Sequence, residues 1–274
     1  MTVVQHVDGV QGSAQRVFGM VLRHLFLLRT SWPRMLEMAY WPTVQIVLWG
    51  FITQFFAQHS SYVAQAFGVL LSGVLLWDVL FRGQMGVSIS FLEEMWSRNL
   101  GHLFASPLRP LELVASLIVM SLIRTLIGIV PATFLAWVFF GYSVYDIGLP
   151  LVLFFANLLL FGWAIGIALS GMVLRFGLGA ESLTWAAIFA LAPISGIYYP
   201  LSVLPDWLQV IARCLPSSYV FEGMRAVLIE DRFDWDLMQA GLLLNLGYFA
   251  AGAAIFLWCV KLARGRALLL QIGE

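Results

Sequence analysis

The sequence predicts an all-α membrane protein with six transmembrane helices. Three observations predict it. Hydrophobic residues make up 61% of the 274 residues and charged ones only 11%, with a mean hydropathy of +0.89. Apolar stretches of about 20 residues recur, the length that crosses ~30 Å of hydrocarbon at ~1.5 Å per residue. The weak alternating ten-residue segments of a membrane β-barrel do not occur.

Residues 1–12 are polar, and the next apolar stretch is interrupted by Arg16, Arg23 and Arg29, so no cleaved signal peptide is expected. Residues 13–34 read as a helix lying along the membrane surface. Arg16 and Arg23, seven apart, share a face, and Val17, Phe18, Val21, Leu22, Leu25 and Phe26 fill much of the rest. The start of a longer first span is the other reading. The six spans are expected at 36–57, 62–82, 111–140, 149–173, 183–203 and 238–260. Lysine and arginine orient them. Arg16, Arg23, Arg29, Arg34, Arg82, Arg98, Arg109, Arg175, Lys261, Arg264 and Arg266 gather on one side, while the loops 58–62 and 141–148 hold no base and the longest stretch holds Arg213, Arg225 and Arg232 among the acids Asp206, Glu222, Glu230, Asp231, Asp234 and Asp236. The positive-inside rule then puts both termini in the cytoplasm and residues 198–236 outside. Cys214 and Cys259 fall near opposite faces and are not expected to bridge.

Between the second and third spans lies SFLEEMWSRNLGHLFASPLRP, residues 90–110. Ser90 and Glu93 have capping-box spacing, and Glu94 and Arg98 stand at i, i+4 with the acid first. Phe91, Leu92, Met95, Trp96 and Leu103 share one arc, and Pro107 ends the segment. A separate amphipathic helix over 90–106 follows, either an ordinary surface helix or a docking element whose exposed acidic face meets a soluble partner. Residues 193–233 carry Pro193, Pro200, Pro205 and Pro216, too many for a simple span. Asp206 with Gln209, and Ser217 or Ser218, can cap two short helices with apolar faces. A re-entrant hairpin over 204–232 or a folded surface loop fits that pattern.

No Gly-x-x-x-x-Gly-Lys-Ser/Thr loop occurs, so the chain is not expected to bind nucleotide by that route. Metal-ligand spacings are also missing, and Ser170-Gly171 and Ser195-Gly196 lack a histidine within a span to serve as base. Glu37, Asp78, Arg82 and Glu112 fall near the cytoplasmic span ends and are expected to snorkel. Arg124 falls about 20 Å into the third span. It faces either the bundle interior as a possible functional charge, or the headgroups if that helix projects into the cytoplasm.

The chain resembles the membrane subunits of ABC type-2 exporters. The residues that carry this are the N-terminal surface helix, the EEMWSRNLGHLFASPL segment (93–108) and the ISGIYYPLSVLPDWLQVIARCLPSSYVFEGMR stretch (194–225). In the last, Pro200, Leu204, Pro205, Trp207, Leu208, Pro216, Tyr219, Glu222 and Arg225 match the family's pattern. The resemblance implies a permease in a bacterial inner membrane, itself no enzyme and without a cofactor, forming a homodimer within the lipid bilayer. Two separate ATP-binding cassette subunits would carry ATP and Mg; no nucleic acid is involved. It implies a coupling helix with Glu93, Glu94, Trp96, Arg98 and His102 against the ATPase. It also implies an external gate with Tyr198, Tyr199, Pro200, Pro205, Trp207, Pro216, Tyr219, Glu222 and Arg225. The cargo is expected to be a glycan, lipid-linked or amphiphilic molecule. A multidrug efflux permease or a stand-alone secondary carrier is the alternative, though a carrier calls for midplane ion sites on paired repeats, and no repeat is visible. Trp41, Trp49, Trp77, Trp137, Trp163 and Trp185 suit sugar stacking and membrane anchoring alike.

Overall fold

The computed structural model describes residues 9–59 and 67–265. Ten α-helices run through them: α1 Val10–Thr30, α2 Trp32–His59, α3 Phe67–Trp96, α4 Leu100–Ala105, α5 Pro110–Phe140, α6 Leu149–Phe176, α7 Ser182–Leu191, α8 Asp206–Ala212, α9 Pro216–Glu230 and α10 Trp235–Gly265. No strand occurs among the described residues. Residues 60–66, which include most of the expected 58–62 loop and the first residues of the span expected at 62–82, lie outside them, as does Arg266.

Four helices among the described residues are long and apolar enough to cross a bilayer: Gly68–Trp96, Pro110–Phe140, Leu149–Phe176 and Trp235–Arg264. The chain is a multi-pass membrane protein. Its α2 is 28 residues long, but Arg34, Glu37, Thr43, Gln45, Thr53 and Gln54 dilute its apolar run. The stretch expected as a fifth span, 183–203, is α-helical only over Ser182–Leu191, with a single 3-10 turn at Leu201–Val203. The ten α-helical residues reach about 15 Å, half a hydrocarbon core. Beyond it Gly196 takes a left-handed φ of +69°, and Pro200 has no N–H to extend a helix.

Helix α6 is the centre. In lipid, burying apolar surface gives helices little reason to associate, so close packing must supply it. Glycines provide that closeness. A Cβ on Gly166 would lie 2.8 Å from the Gln84 carbonyl of α3, and one on Gly171 would lie 2.9 Å from the Phe256 Cα of α10. Gly252 of α10 rests in the same way on the Ala164 carbonyl. Across α3 and α5, a Cβ on Gly86 would meet Ser121 Oγ at 2.6 Å. Polar bonds join the apolar seams. Asn245 Nδ2 donates to the Asn157 carbonyl at 2.9 Å, and Asn157 Nδ2 to Met238 Sδ at 3.4 Å.

Helix α9 and the turn that leads into it from α8 lie beside α10, not beyond its end. Tyr248 Oη donates to the Cys214 carbonyl at 3.2 Å. A Cβ on Gly241 would sit 3.3 Å from Tyr219 Cβ and 3.5 Å from the Pro216 carbonyl. Gly241 and Tyr248 are about 9 and 20 Å along α10 from Trp235. The expected side-chain caps are not formed. Pro205 precedes α8, Leu215 precedes α9, and neither helix start has a side-chain cap. Gln209 instead donates to the Leu204 carbonyl at 2.8 Å.

Candidate functional site: a charged junction and a clamped turn

Residues 90–96 do not open a separate helix. They are the last two turns of α3, which runs unbroken to Trp96. Ser90 is buried inside that helix, its hydroxyl without a partner among the described residues, so the capping box does not form. The expected helix over 90–106 divides into the end of α3, a three-residue turn, and α4. In the turn Arg98 takes φ 53°, the left-handed region that costs an L-residue roughly 1–2 kcal/mol. Asn99 N then closes on the Glu94 carbonyl at 3.0 Å.

This changes the position of the acids. Glu93 and Glu94 are buried, because the helix carries them back against α1 and α5 instead of out into water. Glu93 pairs with Arg124 at 2.7 Å and Arg34 at 3.1 Å. Glu94 is fully enclosed and pairs with Arg23. Asn99 Nδ2 donates to it at 2.7 Å, and His24 Nε2 lies 3.4 Å away. The expected Glu94–Arg98 pair is absent, since Arg98 points out of the turn and is exposed. Glu112 forms a third node. It accepts from Arg16 at 2.6 Å and Ser13 at 2.7 Å, and reaches back to the Arg109 amide at 2.9 Å, where Pro110 begins α5. Glu112 is thus held by its ion pair with Arg16 and by hydrogen bonds, and is not snorkelling. Three carboxylates at the ends of α3 and α5 are therefore gripped by Arg16, Arg23 and Arg34 of α1 and α2. Arg16, Arg23 and Arg34 are themselves partly exposed, so the pair enclosed on both sides is Glu93–Arg124, and breaking a pair of that kind typically costs about 3–5 kcal/mol.

Arg124 faces the bundle interior and is nine-tenths buried. It stands about 21 Å into α5 yet reaches Glu93 near the charged end. Its Nε has no partner among the described residues.

The surface left exposed at this junction is aromatic and basic. Trp96, Ser97, Arg98, His102, Ser106, Pro107 and Arg109 face out. Helix α4 is held from beneath by buried Leu100 and Leu103, and the Arg264 guanidinium of α10 lies over the Phe104 ring at 5.4 Å. Trp96 Nε1 donates to Glu181 at 3.2 Å, linking the elbow to the α6–α7 turn.

At the hairpin, Arg225 and Glu222 clamp the turn after α7. Arg225 donates to the carbonyls of Gly196, Ile197 (3.3 Å) and Tyr199 (2.8 Å). Glu222 accepts from the Leu201 amide at 2.8 Å and from Arg225 at 3.1 Å. A turn that would leave carbonyls unpaired is thereby satisfied. Tyr198 stacks on Trp49 of α2 at 4.7 Å, and Tyr199 Oη donates to the Pro193 carbonyl at 2.5 Å. Tyr219 Oη donates to the Arg213 carbonyl at 2.9 Å. Pro200 and Pro205 bracket the turn, Pro216 opens α9, and Trp207 is exposed. Sequence reasoning chose the hairpin residues by pattern and missed the arginine side of the junction. The available signal was three arginines, at 16, 23 and 34, set against three glutamates in a chain only 11% charged.

No individual curated relative matches the chain. A family model described as ABC-2 type transporter matches residues 23–229, from Arg23 of the charged junction through the clamped turn to the end of α9. With that match over most of its length, the chain belongs to the ABC-2 type transporter family, whose members are membrane components of transporters.

Proposed function

We propose that the chain is the permease half of an ATP-driven exporter. Two copies pair in an inner membrane with both termini in the cytoplasm, and two separate ATP-binding subunits dock at the exposed elbow 96–109. The observation that carries this reading is the wiring of that elbow. Trp96, Arg98 and His102 are surface groups, while the residues just before them are ion-paired to α1, α2 and α5. A push on the elbow is therefore transmitted to two long apolar helices and the N-terminal helices together. Coupling through an element packed this way needs no nucleotide site in the chain itself. Two further spans come from α2 and from α7 with its following turn, which completes six. Helices α8 and α9 form the re-entrant hairpin at the outer face, with the Glu222–Arg225 clamp shaping the exit.

The docking surface differs from the acidic face that the linear sequence suggests. Glu93 and Glu94 act as positioning residues, and the partner-facing groups are Trp96, Arg98 and His102. The ATPase surface that meets them is then acidic or apolar. The test is ATPase activity and co-purification of the partner subunit with Arg98→Glu, His102→Glu and the double variant. Reduced recruitment, at least tenfold in the double variant with unchanged thermal stability, is the expected result. Wild-type recruitment and turnover in that variant would overturn the assignment.

A further inference from the structure

Helix α3 carries Asp78 and Arg82 one turn apart. Fifteen residues separate Arg82 from Phe67 and fourteen from Trp96, so it stands at the midpoint, about 21–22 Å from either end. A span ending at residue 82 would let both side chains snorkel. The continuous helix to Trp96 removes that escape.

Arg82 Nε donates to Asp78 Oδ2 at 2.6 Å, and the two side chains are 10% and 14% exposed. Among the described residues no acceptor meets the other four N–H groups of Arg82, and no donor meets Asp78 Oδ1. The guanidinium lies against Gly128 of α5, where any Cβ would collide with its Cζ, Nε and Nη1 atoms. Helix α5 is therefore notched at the place where the charged head rests. An ion pair at the middle of a span, with most of its hydrogen-bonding capacity unused, is costly unless polar groups complete it.

The chemistry of those groups follows from the charge. The pair is neutral overall, so an anion would lose at Asp78 much of what it gains at Arg82. Hydroxyl groups satisfy both sides: their oxygens accept from the Arg82 Nη atoms, and their O–H groups donate to Asp78 Oδ1. We propose that the Asp78–Arg82 pair, set against Gly128 on the α3–α5 seam, binds the neutral, hydroxyl-rich head of an amphiphilic cargo of the glycan class. This rests on the exporter reading and adds a cargo class to it.

The test uses the full-length permease in lipid nanodiscs and two probes of equal chain length, decyl maltoside and decyl phosphate, below micelle-forming concentrations. Tryptophan fluorescence reads binding. Decyl maltoside is expected to bind saturably, with affinity falling at least tenfold in Arg82→Gln and in Asp78→Asn. Decyl phosphate is expected to show no Arg82-dependent binding. The exchange variant Asp78→Arg/Arg82→Asp keeps the ion pair and is expected to melt as wild type does without regaining maltoside affinity. Absent maltoside binding, or unchanged affinity in Arg82→Gln, overturns the proposal. So does phosphate binding lost with Arg82, which would mark an anion site, or an exchange variant that recovers maltoside affinity, which would leave the pair only structural. Stimulation of the partner ATPase by the same preparations separates the two levels. If stimulation persists and any of these results appears, only the cargo site falls; if the wild-type permease never stimulates the ATPase, the exporter reading falls.

Discussion

At the scale of single residues, the junction sorts its charges by whether they are enclosed. Glu94 is fully buried between Arg23, His24 and Asn99. Glu94→Gln leaves Arg23 with a far weaker partner, but Arg23 is a third exposed and keeps water, so a loss of about 1–2 kcal/mol is expected, read as a lower unfolding midpoint of the purified protein. Arg98 behaves oppositely. It is exposed and in the left-handed region, where glycine has no Cβ to strain. Arg98→Gly is therefore expected to hold or raise stability, by roughly 1 kcal/mol at most, while weakening ATPase recruitment. A fall in stability with normal recruitment would assign Arg98 a packing role instead. Arg124 was legible as an oddity because an arginine deep in an apolar run has few comfortable positions. Its partner was not legible, since Glu93 is 31 residues away in the chain.

At the scale of elements, two local arrangements decide how helices meet. Glycines on α6 let α3 and α10 approach to backbone contact. Gly166→Val adds bulk where even a Cβ lies 2.8 Å from a carbonyl oxygen. Overpacking of this kind costs roughly 1–3 kcal/mol, and thermal unfolding should register it; an unchanged midpoint would mean the seam opens freely. The turn after α7 depends on one side chain. Arg225→Leu removes the donor to three carbonyls and releases Glu222. Residues 196–201 should then become readily cleaved by protease, and transport should fall even where the ATPase still docks. Continued protection of that turn would show that Pro200 and the Tyr198–Trp49 stack suffice to hold it.

For the whole molecule, the charged junction and the hairpin lie toward opposite ends of the long helices, and two free cysteines report on them. Cys214 is exposed in the hairpin, and Cys259 is buried near the end of α10. A membrane-impermeant maleimide added to intact spheroplasts should label Cys214 and spare Cys259. Labelling of Cys214 only after lysis would reverse the orientation and put the elbow out of reach of a cytoplasmic ATPase.

Composition and run length alone determined that this chain lives in a bilayer as helices. Hydrocarbon demands about 20 apolar residues with every backbone group satisfied internally, and that demand is written in linear order. The bounds of the third and fourth expected spans, 111–140 and 149–173, lie within a few residues of α5 and α6 because glycine, proline and apolar run length punctuate them. Motif order in 93–108 and 194–225 was enough to suggest the family. Only the tertiary structure decided that α3 continues through residues 90–96, since nothing local in SFLEEMW distinguishes the start of a helix from its end. It also decided that Glu93 and Glu94 turn inward to Arg23, Arg34 and Arg124, and that Asp78 and Arg82 fall at the middle of a helix. Each of those outcomes depends on which distant arginine, carboxylate or glycine a side chain meets, and meeting is a property of the packed helices.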